Sequence, residues 1–280
     1  MPAARLARRS IALLLFAAAP VLAAPQRIEL PTGAPETPIV TSGISDYAGA
    51  VAAIVGVLTQ TLQLPVPRYT MEVYTDPAEF EQGLVRHLAL SPDTARSAAG
   101  FAKAAVGSRR ILVNDTLLSR VAWPERIVTL AHEMVHACQL QLAGHRSLTR
   151  QQWLIEGFAE WIAFRVADAM GARSLAAERS ATIARVRAAR GEKGLAALAR
   201  MDTLAQWVET RAERGFDATY GMAWLATEFL VERHGYDRVL SFFRLHRGGP
   251  DADAHFRTAF GEDAQQFEAA LLAHLDRLLQ

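Results

Sequence analysis

The chain has 280 residues, with 30 basic and 29 acidic side chains interspersed and a formal net charge of +1. So even a balance leaves no electrostatic footprint for nucleic acid or an anionic membrane, and nucleic acid is not an expected partner. The single cysteine, Cys138, excludes an intramolecular disulfide, and the length is enough for one large domain or two tightly joined lobes.

The N-terminus reads as an export signal. Arg5, Arg8 and Arg9 precede an apolar stretch over 11–19 and a small-residue exit over 21–24, so 1–23 is expected to be removed and the mature chain to be periplasmic or extracellular. The apolar run over 11–24 falls short of the ~20 residues a bilayer requires, and no later segment is longer, so no membrane span is expected in the mature chain. Residues 24–43, rich in Pro, Thr, Ser and Gly, suit a linker or extended arm. The rest, 44–280, is expected to form one domain, with a sheet-containing lobe to about 148 and a helical lobe from about 149.

The Ala/Val/Leu-rich stretch 45–63 predicts a helix, closed by Pro65 and Pro67. RYTMEVYT over 68–75 alternates β-branched or aromatic residues with polar ones and predicts a strand, after which Asp76 and Pro77 open a helix to about Leu90. RRILV over 109–113 predicts a second strand, ended by Asn114 and Asp115. Thereafter the pattern is helical. One helix starts at Pro124, with Glu125 favouring its N-terminal end, and stops near Gly144; the next opens with Thr149 and Gln152 spaced as a capping box and stops at Gly171. The short link between them predicts an antiparallel hairpin. Further helices are expected over 174–190, 195–214, 219–234, 237–245 and 263–279.

The first hairpin helix carries TLAHEMVHACQ over 129–139. Residues four apart on a helix lie one turn above each other, so His132 and His136 can aim ring nitrogens at one ion, with Glu133 beside them to reach a water. The uncharged neighbours Leu130, Ala131, Met134, Val135, Ala137 and Cys138 predict burial, and buried ionisable groups are stable only when paired or coordinated. Catalytic zinc sites take three protein ligands and leave a fourth position open. The third here is Glu156 of WLIEGFAEW: His136 lies eight residues before Gly144 and Glu156 seven after Thr149, so both stand about 11–12 Å from the closed end of the hairpin. Gly157 removes a side chain where helices and metal approach, and Glu160, one turn on, can accept from the far nitrogen of a ligating histidine.

The pair HExxH and WLxEGxA, with 19 residues between His136 and Glu156, resembles the gluzincin metallopeptidases, in particular the peptidase MA-like branch related to aminopeptidase N and thermolysin-type enzymes. The resemblance spans roughly 45–280. It implies one Zn2+ ion held by His132, His136 and Glu156, a catalytic base at Glu133, and an α+β fold of the thermolysin-like zincin type: a small N-terminal mixed sheet, an HExxH active-site helix and a mainly helical C-terminal lobe. TYGMAWLATEFL over 219–230 is similar to the aminopeptidase segment whose tyrosine stabilises the transition state, which assigns that role to Tyr220. The stretch 256–275 is similar to the closing helices of the family. No Gly-rich exopeptidase signature is found over 109–115, so endo- or exo-action stays open; the strand over 109–113 is the expected edge for an extended peptide.

Cys138 reads as a small core residue, His145 and His234 as helix-terminal groups, and the arginines over 173–190 as a solvated face. The expected function is hydrolysis of a peptide or protein substrate by metal-activated water. The alternative is a zinc-containing envelope scaffold that binds in the same cleft without cleaving.

Overall fold

The structure, a computed structural model, describes residues 24–31 and 43–280. The export signal expected over 1–23 therefore lies outside the described residues, as do positions 32–42 of the expected linker.

Alternation over the predicted strands produces a four-stranded mixed sheet. Its strands are β1 (Gln26–Glu29), β2 (Thr70–Tyr74), β3 (Ala104–Gly107) and β4 (Arg110–Asn114), in the order β1-β2-β4-β3. β2 and β4 run parallel at the centre, and β1 and β3 flank them antiparallel. Successive side chains point to opposite faces. Met71, Val73, Ile111 and Val113 thus enter the main core, while Tyr74 and Leu112 enter a smaller one with Phe80, Leu84 and Ala95. β1 occupies part of the segment expected as a linker or arm, where Arg27 pairs with the buried Glu72 of β2 at 3.2 Å.

The helices, in chain order, begin with α1 (Tyr47–Gly56), which widens into a π-helical turn over Val57–Thr61. α2 (Pro77–Leu88), capped by Asp76, and α3 (Pro92–Ala99), capped by Ser91, cover the smaller core, and α4 (Asp115–Leu118) is a single turn. α5 (Trp123–Leu142) and α6 (Gln152–Ala169) form the expected hairpin; contacts between positions 132 and 160 and between 136 and 156 make it antiparallel. There follow α7 (Leu175–Lys193), a 3-10 turn over Leu198–Met201, α8 (Leu204–Arg214), α9 (Phe216–His234), α10 (Tyr236–Leu245), α11 (Ala252–Phe260) and α12 (Ala264–Leu278). α8 and α12 each start on a capping box, Thr203 with Gln206 and Asp263 with Gln266.

Several local expectations are corrected. Residues 195–214 are not one helix, because the capping box at Thr203 starts α8 afresh after the 3-10 turn. α6 has no Thr149 capping box: Gln151 takes the left-handed conformation at φ 54, and Asp202 receives the helix start, its Oδ1 accepting from Gln151 N at 2.8 Å and its carbonyl from Gln152 N at 2.9 Å. β4 is interior rather than an edge; the edge beside it is β3. The arginines of 173–190 are not simply solvated, since Arg173 bonds Glu125 and Glu178, Arg179 bonds Glu228 and Arg190 bonds Asp276. Gly157 makes its close approach to α9, where an added Cβ would stand 2.3 Å from the Ala223 carbonyl oxygen.

Candidate metal centre

α5 is buried around most of its circumference, and its His132 and His136 turn toward α6. His132 Nε2 and His136 Nε2 lie 3.0 Å apart, and Glu156 Oε2 of α6 stands 3.3 Å from the first and 3.7 Å from the second. Ligand atoms about 2.05 Å from a tetrahedral ion sit about 3.3 Å from one another. The three separations bracket that value, so the donors are spaced as three ligands of one tetrahedral ion would be.

The far side of each group is held as well. His132 Nδ1 donates to Glu160 Oε2 at 3.1 Å. Gln139 donates its amide to the Ile155 carbonyl at 2.8 Å, which turns its oxygen toward His136 Nδ1, also at 2.8 Å. Each Nδ1 thereby faces an acceptor, which turns each Nε2 toward the position an ion would take. Gln152 Nε2 donates to Glu156 Oε1 at 2.9 Å, so the opposite oxygen faces the histidines. Hard and borderline donors arranged in this way fit zinc.

Electrostatics follow from burial. It opposes charge on His132, but hydrogen bonds to Glu156 and Glu160 outweigh it and hold the imidazole well above its usual value. Burial likewise works against ionised Glu156, while the charge of His136 and the hydrogen bond from His132 keep its carboxyl well below the usual range. Glu133 is raised by burial, with the two histidines drawing it partly back. Tyr220 is pushed well up by burial and then by the charges of Glu156 and Glu160, so its phenol keeps its proton.

Tyr220, on α9, reaches the centre with its ring 6.0 Å from that of His132, held between Trp207 at 4.9 Å and Phe216 at 4.2 Å. All five predicted residues, His132, Glu133, His136, Glu156 and Tyr220, line one cleft of ≈ 410 Å³. Ala105 and Val106 of β3 form its opposite wall, and Leu204 at the start of α8 stands at its side. Residues missed by sequence reasoning are therefore Gln139, Leu204 and the β3 edge. Gln152 was placed correctly but given a capping role, whereas its side chain braces Glu156. His234 bonds Glu262 at 2.7 Å, and Cys138 is fully buried in the core, both away from the cleft.

No family model, curated protein or solved structure matches the chain.

Proposed function

We propose that this chain is a zinc-dependent peptidase of the gluzincin type, acting outside the cytoplasm after export. The observation that carries the proposal is the set of three donor atoms 3.0, 3.3 and 3.7 Å apart, each braced from behind, with Glu133 in the same cleft. A bound zinc ion supplies Lewis acidity, which polarises a carbonyl and activates water near neutral pH.

The side chains of the protein do the rest. Glu133, with its pKa moved toward neutrality by burial, takes the proton of the attacking water and returns it to the leaving amine. Tyr220 remains protonated and donates to the oxyanion as it develops. Among the described residues β3 has a ladder partner on one side only, so its open edge can pair with an extended peptide laid along the cleft. Four of the five large hydrophobic side chains exposed among the described residues, Phe101, Leu204, Val208 and Phe216, belong to this side of the molecule. Leu204 lines the cleft, Val208 lies one turn along α8, Phe101 sits under Arg211 of α8, and Phe216 stacks on Tyr220. Such a rim suits a polypeptide with large apolar side chains.

Elemental analysis after gentle purification should give one zinc per chain. Glu133→Gln should keep that zinc and lose at least about 100-fold in kcat against a proteome-derived peptide library. Full activity in this variant removes Glu133 from the base role. Stoichiometric zinc with no cleavage by the unaltered protein favours the scaffold alternative.

A further inference from the structure

Tyr220 lines the cleft with His132, Glu133 and Glu156, yet no hydrogen bond among the described residues holds its hydroxyl; its surroundings act on it through burial and charge. A phenol turns about two side-chain bonds, the outer one softly, so the direction of its O–H depends on what confines the ring. Here the confinement is aromatic on both flanks.

The local sequence explains how. Phe216 and Tyr220 stand four apart on α9, which sets one above the other on the same face. Their rings stack at 4.2 Å with 25° between the planes. The other flank comes from α8, where Trp207 meets Tyr220 edge-on at 4.9 Å and 80°. Stacked and edge-on contacts are both favoured between aromatic rings, so the bracket needs no strain. Trp207 is fixed in the core at 2% exposure, whereas Phe216 is 56% exposed.

One residue joins the two helices, since α8 ends at Arg214 and α9 begins at Phe216. That residue, Gly215, takes φ 90, a conformation that a side chain would strain. Its carbonyl accepts from Thr219 N at 3.3 Å and from Thr219 Oγ1 at 2.9 Å, which fastens the joint to the turn that bears Tyr220. The two flanking rings are thereby set relative to each other by the shortest possible connection.

We infer that Phe216 is a positioning residue, whose ring presses Tyr220 against the fixed flank of Trp207 and so holds the phenol in the cleft beside His132. The inference rests on the proposed hydrolysis, in which that phenol steadies the oxyanion. Phe216 also stands at the apolar rim, and a role there predicts a different result. A wall that only binds substrate moves KM, while a residue that aims an oxyanion donor moves kcat.

The test uses the intact zinc-loaded protein and a peptide that it cleaves. Phe216→Ala should lower kcat about tenfold and change KM less than about twofold, with zinc content and circular dichroism unchanged. Phe216→Tyr, which keeps a ring, should restore kcat. Tyr220→Phe should itself be slowed about 100-fold, and adding Phe216→Ala to it should cost nothing further, because the aimed group is gone. A readout independent of activity is NMR of the five tyrosine rings, with Tyr220 assigned through Tyr220→Phe: its ring flips should quicken in Phe216→Ala. The inference is overturned by full kcat in Phe216→Ala, by a loss confined to KM, by additive losses in the double variant, or by an unchanged flip rate. Full kcat in Tyr220→Phe, or no cleavage by the unaltered protein, counts instead against the proposed function, and the flip rate then decides alone whether Phe216 holds the ring.

Discussion

A histidine offers Nε2 to an ion only when its proton sits on Nδ1, and at this site two different acceptors put it there. Glu160 does so for His132 with a carboxylate, Gln139 for His136 with an amide oxygen. The amide has no freedom to reverse, because its nitrogen is spent on the Ile155 carbonyl. Gln139→Leu keeps the volume but removes the acceptor, and it should lower zinc affinity by about 10–100-fold in a chelator competition. Circular dichroism should meanwhile report an intact helical fold. An unchanged affinity would mean that packing alone orients His136. The gathering of His132, Glu133 and His136 in one cleft was legible in the sequence because HExxH fixes its own geometry through the helical turn. Gln139 was not, since a glutamine three residues further on looks like an exposed helix position until α6 covers it.

Substrate preference belongs to the same scale. Leu204 is 62% exposed yet lines the cleft beside Tyr220. Leu204→Asp should reduce kcat/KM about tenfold for peptides with large apolar side chains near the scissile bond. Peptides with small side chains there should lose much less. Equal losses for both would place Leu204 outside the specificity-determining wall.

At the scale of elements, α6 is clamped from two directions. It presents Glu156 and Glu160 to α5, and through Gly157 it meets α9, the helix that carries Tyr220. An added Cβ at 157 would approach Thr227 Oγ1 at 2.5 Å as well as the Ala223 carbonyl, and backbone cannot step aside as a flexible side chain can. Gly157→Ala should therefore destabilise the protein by about 2–3 kcal/mol in denaturant unfolding. It should also separate Tyr220 from the metal ligands, so activity falls in molecules that still hold zinc. A neutral effect on stability would show that α6 and α9 can move apart without loss.

The elements found from sequence were those with strong periodicity or explicit caps, such as the helix opened by Asp76 and Pro77 and the one opened by Asp263. β3 escaped because AAVG lacks the β-branched and aromatic content of a strand, and its turn lacks the usual signal. A two-residue hairpin favours Asn-Gly or Asp-Gly, whereas here Ser108 and Arg109 make the turn, Arg109 adopting φ 59. The strand pattern over 109–113 consequently began inside the turn, and the edge of the sheet was assigned to β4. α3 and β1 were missed for a related reason: each is short and polar, and each owes its place to a neighbour across the sheet or the smaller core.

For the whole molecule, an ion held by His132, His136 and Glu156 would tie α5 to α6, and α6 in turn is packed by α9. Binding an ion to the native state alone raises the unfolding temperature by mass action. Protons compete for the same atoms. In the zinc-free protein the His132 pKa is raised above 6.5, so its contribution is complete below that pH and is lost as pH rises through the folded value. The Glu156 pKa is lowered below 4.5, so its contribution is present above that pH and is lost as pH falls through the folded value. The two overlap between 4.5 and 6.5, where the metal-free centre supports the fold best. Zinc bound there would reverse the upper limb, because His132 would have to give up its Nε2 proton to bind. The rise in Tm produced by saturating zinc should thus be larger at about pH 8 than at about pH 6. Glu160→Gln, which removes one of the two carboxylates that hold the proton on His132, should narrow the difference between those two pH values. Scanning calorimetry with and without a chelator at both pH values checks each expectation, and a zinc-induced shift that is equal at both pH values would exclude His132 as the group that exchanges proton for metal.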